Sequence, residues 1–443
     1  MTTLKKMIMV SLLPTLIAMG CAGCSIQIEP ARGGQTLTIS GGVSDQPHRI
    51  AAQQMENVMF SLADDFYFTD TALLNKLLTR DATVDVYYVS GAFVSIGSVF
   101  DKGFALPLTD ERLIRDVEKM YACVAGAVMH DRGLYALPVG VDTEQCCMAY
   151  EPSLLSQCAE AGFKLPSSWM DLLRSIAEWD SSLWSQQISP IAMGRQELLT
   201  MSIQYYIASK ELSNEPIVFD SAQFRQLIEL ALQAGTELAA HHSERMERSL
   251  FMRRSINLHT AQSNGYETLL LPLDNGLMPV APISISLLFV NPYSKQPELA
   301  MDYLAKYFGA LDELERMSLS PENSRPVKNP NTSELLATMR QSLSETKRQM
   351  ENENDEQICL TLADTIAQYE INIEKLESSS WMVDEESINH YTQFMGNAVI
   401  IQTQLSQDEN IRKLINRLEQ GAISVQQFIN ELNRIWELSL QEQ

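Results

Sequence analysis

Apolar and polar residues alternate from Gln35 to Ser40, and the run stops at Gly41 and Gly42. A period of two predicts a half-buried strand ended by a turn. Thr83 to Val89, closed by Ser90 and Gly91, carries the same signal. Between them, Ile50 to Ala63 reads as a helix. Another helix is predicted after the cap signal Thr109, Asp110 and Glu111, because Leu113, Ile114, Val117, Met120, Tyr121 and Val124 share one face. Strands alternating with helices predict a parallel α/β sheet.

Beyond Thr143 the pattern becomes more helical. Ser168 and Asp171 form a capping box, with Trp169, Leu172, Leu173 and Ile176 as the buried stripe behind it. Asp220 and Gln223 open a further helix that turns Phe224, Leu227, Ile228 and Leu232 inward. Leu269 to Pro272 and Ile283 to Val290 read as strands. Pro297 starts a helix and Gly309 follows its end, the usual asymmetry of proline and glycine. Pro321 to Pro330 reads as a surface connection, and Ser333 to Gln443 as helical throughout, broken by a solvated turn at Glu351 to Gln357. The last helix is capped by Ser424 and Gln427 and buries Val425, Phe428, Ile429, Leu432, Ile435 and Trp436.

A chain of 443 residues is too long for one ordinary core and suits two lobes of roughly 150–200 residues each. The net charge of −23, with no Lys/Arg cluster, argues against a nucleic-acid partner. Lys5 and Lys6 precede an apolar run from Met7 to Gly20, and small residues and cysteines follow at Cys21-Ala-Gly-Cys24-Ser25. That is the build of a secretory signal, and the run is too short to span a bilayer comfortably. Cysteine just after small residues resembles a bacterial lipobox, with Cys24 as the acylated residue and Cys21 as the alternative. Residues 1–23 are then a signal peptide and 24–34, with Pro30, Gly33 and Gly34, a tether. The other cysteines, Cys123, Cys146, Cys147, Cys158 and Cys359, are odd in number, a poor disulfide framework, and are expected to be small buried side chains.

Motifs of catalysis are missing: no nucleophile elbow, phosphate loop, dinucleotide fingerprint or zinc-protease helix occurs. His241 and His242 point about 100° apart on a predicted helix, so one metal does not easily use both. No cofactor, no metal and no enzymatic activity are expected.

From Gly133 to Tyr150 the chain resembles the extracellular solute-binding proteins of ABC importers, in their maltodextrin-binding branch. Gly133-Leu-Tyr-Ala-Leu-Pro-Val-Gly-Val-Asp-Thr143, then Met148-Ala-Tyr150 and Leu154-Leu155, is similar to that family's first lobe-to-lobe crossing. Gly162-Phe-Lys-Leu-Pro166-Ser-Ser-Trp169 matches a helix opening of the family. Leu271-Pro-Leu273 and Phe289-Val-Asn291-Pro-Tyr-Ser294-Lys295 match its return crossing. The resemblance implies a two-lobed, class II periplasmic-binding-protein-like fold with a long helical C-terminal region. Lobe one is expected at 35–138 and 283–309, lobe two at 139–282 and 310–443. It also implies a lipid-anchored monomer on the outer face of the cytoplasmic membrane. Such a protein captures a small solute, most often a sugar, and delivers it to an ABC permease by hinge closure. The alternatives are a sensor or adhesion module of the same fold, and a secreted hydrolase.

Open α/β sheets bind ligands outside the carboxyl ends of their strands. The loops after the strands therefore supply the candidates Asp45, Ser90, Asp142 and Thr143. The family has an acidic residue near bound sugar at the place of Asp142, often Glu; a cap or hinge-turn role is the other reading for this residue. Trp169 and Trp436 sit on buried stripes, whereas Trp381, in Ser-Ser-Ser-Trp-Met and outside a clear stripe, is the aromatic candidate for the cleft.

Overall fold

The computed structural model describes residues 34–40, 45–62, 70–92, 94–130, 133–143, 146–241, 248–256, 258, 266–352, 356–378, 381–401 and 409–441. Residues 1–33, with Cys21 and Cys24, and residues 41–44 lie outside them. The fold is mixed α/β, with two main sheets and two hydrophobic cores.

In the first sheet the strand Gln35–Ser40 lies between Val58–Leu62 and Val86–Ser90, parallel to both. The long strand Ala281–Val290 follows, antiparallel to Val86–Ser90 and to Leu137–Asp142 and parallel to Ala398–Ile400 at its start. The second sheet orders Glu267–Leu269, Cys147–Tyr150, Arg248–Arg254 and Ile188–Ile191. Its core takes in Trp169, whose ring stacks on Tyr205 at 4.5 Å and whose indole donates to Ser202 Oγ at 2.9 Å. Burying the indole N–H with a partner avoids the cost of an unmet donor.

Three predicted elements take a different form. The helix expected over Ile50 to Ala63 is the helix Gln46–Gln53 followed by the strand Val58–Leu62. Asp45 caps the helix and Pro47 sits in its first turn, while Asn57 turns the chain at φ 62°. The single helix expected after Thr109 is two, Glu111–Glu118 and Ala122–Val128. The break falls at Tyr121, whose backbone N–H is taken by the carbonyl of Leu319. The tail is not helical throughout: Trp381–Val383 and Ala398–Ile400 are short strands completed by Val327–Lys328 and by the start of Ala281–Val290. Each needs a partner remote in sequence, so no local signal marks it.

The tail divides between the cores. Leu311, Met317, Leu319, Val383, Tyr391, Phe394 and Met395 pack into the first, where the sequence expectation put everything beyond 310 in lobe two. Ile411, Leu414, Phe428, Leu432 and Trp436 pack into the second. The helices Pro330–Glu351 and Glu356–Ser378 run antiparallel to each other, with Arg340 on Glu377 at 2.5 Å and Lys347 on Glu370 at 2.7 Å.

The segment after Ala281–Val290 is fixed by a buried asparagine. Asn291 is 0% exposed; its amide donates to the carbonyls of Asp81 at 2.8 Å and Val84 at 2.6 Å, and its oxygen accepts from Tyr293 N–H at 3.0 Å. Asp85 alongside accepts from Thr38 N–H at 2.8 Å and Ser294 Oγ at 2.5 Å. Asn291→Ala strands several buried groups at once. The expected loss is about 2–4 kcal/mol of stability, read as a lower urea midpoint, at about 1–3 kcal/mol per unmet group with partial relaxation. An unchanged midpoint means that water replaces the amide.

Candidate functional site

From Gln35–Ser40 the chain passes through the helix Gln46–Gln53 to one neighbour, Val58–Leu62. From there it returns through Asp70–Leu78 to the other neighbour, Val86–Ser90. Connections that leave in opposite directions open a crevice at the carboxyl ends of the two strands. Ser40 and Asp45 border it from one strand, Ser90 and Gly91 from the other.

The long strand Ala281–Val290 starts at this same edge. Ser286 pairs with Ser90 on one side and Gly140 on the other, and Ser284 pairs with Asp142. Ser284 Oγ donates to Asp142 Oδ2 at 3.3 Å. Since strand side chains alternate, Tyr88 and Ser90 share a face, as do Ser284 and Ser286. Tyr88 hydrogen-bonds with Ser286 and lies in the field of Asp45, Glu315 and Asp142; its burial raises the phenol above its ordinary value. The result is a half-buried row of hydroxyls with Asp45 at one end and Asp142 at the other.

Asp45 is held at both oxygens. Oδ1 accepts from His48 N–H at 2.9 Å and caps the helix; Oδ2 accepts from Tyr307 Oη at 2.6 Å. Burial and the Asp45 carboxylate together push the Tyr307 phenol well above the usual range, so it stays a donor. Behind it, His48 Nδ1 meets Tyr303 Oη at 2.9 Å, with Phe60 edge-on. This wall fixes where Asp45 points.

The second sheet presents its own strand ends to the crossing. Ile188–Ile191 and Arg248–Arg254 are parallel, and Glu267–Leu269 runs the same way across the antiparallel Cys147–Tyr150. Their carboxyl ends therefore share one edge, where Cys147, just past the crossing from Asp142, pairs with Arg254. Arg254 stands over the Tyr266 ring at 5.9 Å, and Arg253 is paired with Glu197 at 2.7 Å.

Among the candidates, Asp142 and Ser90 flank the Ser284–Ser286 row, and Asp45 acts on it through its charge, which Tyr88 feels. Thr143 is different: its buried hydroxyl donates to the carbonyl of Ile256, just past the strand Arg248–Arg254, and so holds the first crossing against that strand end. Trp381 stands apart, 38% exposed, with Lys328 Nζ over its ring at 5.3 Å. Sequence reading missed Tyr88, Ser284, Ser286 and Arg254. The two serines were visible as period-two polar positions inside the apolar run Ile283 to Val290. Cys146, Cys147 and Cys158 are buried, and burial lifts the thiols of Cys123 and Cys158 to about 11, unsuited to nucleophilic attack. Among the described residues no three His, Cys, Asp or Glu side chains gather as a metal site would require, and no helix is long and apolar enough to cross a membrane.

These features define a two-lobed solute-binding-protein fold. A cyclo/maltodextrin-binding protein complexed with maltotetraose has it, with TM-score 0.52 and 11% identity over 93% of this chain and 99% of the other. So does an ABC transporter solute-binding protein from Agrobacterium radiobacter K84 in complex with ribitol, at 0.50 and 14% over 91% and 98%. Maltose-bound MalE3 of T. maritima gives 0.54 and 12% over 91% and 100%. No family model matches the sequence, and no curated protein does. The likeness is one of fold.

His48 gives the wall a pH dependence. Burial lowers its pKa from 6.5, and the nearby Asp45 carboxylate only partly opposes this. The unfolded chain therefore takes up a proton before the folded one does. The stability from this residue is complete above pH 6.5 and is lost below it, down to the lowered native value. Urea midpoints at pH 7.5 and 5.5 are expected to differ more for the wild type than for His48→Gln. Equal differences place the sensitivity elsewhere.

Proposed function

We propose that this protein captures a sugar or oligosaccharide outside the cytoplasmic membrane and delivers it to an ABC importer, without making or breaking bonds. The observation that carries this reading is the row Tyr88, Ser90, Ser284 and Ser286 between Asp45 and Asp142, at the strand ends beside the lobe crossing. Hydroxyls and carboxylates held in place by other side chains suit the donors and acceptors of a polyhydroxylated solute. The ligands named for the three fold neighbours, maltotetraose, ribitol and maltose, are of that kind. Binding between lobes joined by crossings favours a closed form, which carries the solute to the permease.

In this reading Asp142 meets the ligand at the end of the row, where it already accepts from Ser284, while Asp45 bonds to His48 and Tyr307. Asp142→Asn is expected to weaken binding of the best ligand from a sugar and polyol panel by roughly 1–3 kcal/mol, through loss of a half-buried charged acceptor. Calorimetry reads the affinity, and the ligand-free melting temperature should hold within a degree or so. Normal binding with a lower melting temperature makes Asp142 a hinge residue only.

Residues Lys5 to Ser25 supply the proposed route and anchor: export, cleavage, and acylation at Cys24 or, failing that, Cys21. The mature protein should partition into detergent and carry diacylglycerol, and replacing both cysteines should release it or leave an uncleaved precursor. A protein still firmly membrane-bound after both replacements overturns the lipid anchor.

A further inference from the structure

The two strand-end edges that meet at the crossing differ in charge. The first lobe offers Asp45, Asp142 and hydroxyls, with Glu315 nearby and raised above its usual value by burial. The second offers arginine at the end of Arg248–Arg254. Its two arginines are not equivalent. Arg253 is neutralised by Glu197, whose other oxygen accepts from Gly194 N–H at 2.7 Å. Arg254 has no carboxylate partner among the described residues; its guanidinium is half-buried and lies over Tyr266, while its backbone carbonyl accepts from Cys147 Sγ at 3.2 Å. A ring beneath a guanidinium leaves the in-plane N–H groups free, the geometry that takes a carboxylate or sulfate in two parallel hydrogen bonds.

Its location links it to the hydroxyl row. Arg254 pairs in register with Cys147, and two residues on, the carbonyl of Ile256 receives the hydroxyl of Thr143, the neighbour of Asp142. A solute resting on the row can therefore extend toward an unneutralised cation on the other lobe. A fully neutral sugar would leave that charge without a counter-group once closure removes water, which costs binding.

We propose that the solute is an acidic sugar, a polyhydroxylated ring bearing a carboxylate or sulfate, and that Arg254 on its Tyr266 platform selects for the anionic group. This rests on the solute-binding reading above. The test is calorimetric titration of the mature chain with galactose, galacturonate and galactose 6-sulfate and with the matching trisaccharides. At least one acidic member should bind tenfold or more tighter than its neutral counterpart, and added salt should erode that preference; which member wins separates carboxylate from sulfate. Arg254→Gln should abolish the preference by weakening the acidic members, and neutral sugars should bind at least as tightly as before. Arg254→Lys should retain part of it, with both variants melting near the wild type. If neutral sugars bind best, or if Arg254→Gln keeps the acidic preference, the selectivity is wrong while sugar capture stands. If no neutral or acidic member binds, sugar capture itself falls.

Discussion

The strand Ala281–Val290 must find hydrogen-bond partners along both its edges, and each of them lies far away in sequence. Val86–Ser90, Leu137–Asp142 and Ala398–Ile400 all meet it. Its Ile283, Ile285, Leu287 and Phe289 fill the first core, while Ser284 and Ser286 carry the polar row. One backbone thus settles both the packing of a lobe and the spacing of the hydroxyl row. A slip of one residue would exchange the two sets, putting serine into the core and leucine into the polar row. Asn291 at its end, bonded to Asp81, Val84 and Tyr293, guards against that slip.

What could be read from the chain followed local physics. Alternation marked Gln35–Ser40 residue for residue, and the cap at Ser168 and the stripe behind it stand as expected, with Ser168 Oγ accepting from Asp171 N–H at 3.1 Å. The two-lobed fold was legible through the ordered motifs around both crossings. Elements that depend on distant partners were not: Ala398–Ile400 looks helical by composition and becomes a strand because residues 281–283 offer an edge. Asp45, Ser90 and Asp142 were nominated by the rule on strand ends, which needs only the order of elements. Arg254 escaped because an arginine after an apolar run looks like an ordinary surface charge. Only the register with Cys147 shows that it stands at the crossing.

The wall behind Asp45 shows how that end of the row keeps its shape. Tyr307 and Tyr303 come from one helix, Pro297–Ala310, and His48 from another, so the carboxylate is aimed by two elements packed together. Groups whose orientation is already fixed lose little freedom on binding, which favours affinity. The strand end of the second lobe is built otherwise: the half-buried Arg254 rests on one ring, Tyr266.

The pairing pattern of the first sheet also bears on the order in which the molecule is assembled. A chain that emerges from its N-terminus displays Gln35–Ser40, Val58–Leu62 and Val86–Ser90 early, but the strand that completes their sheet arrives only with residues 281–290, and its last neighbour with 398–400. The second core waits in turn for residues 411–436. Non-local pairing of this kind delays the committed collapse of either lobe until nearly the whole polypeptide is present. Such a nascent chain stays unfolded for longer than one built from contiguous domains, and its exposed strand edges wait longest for their partners.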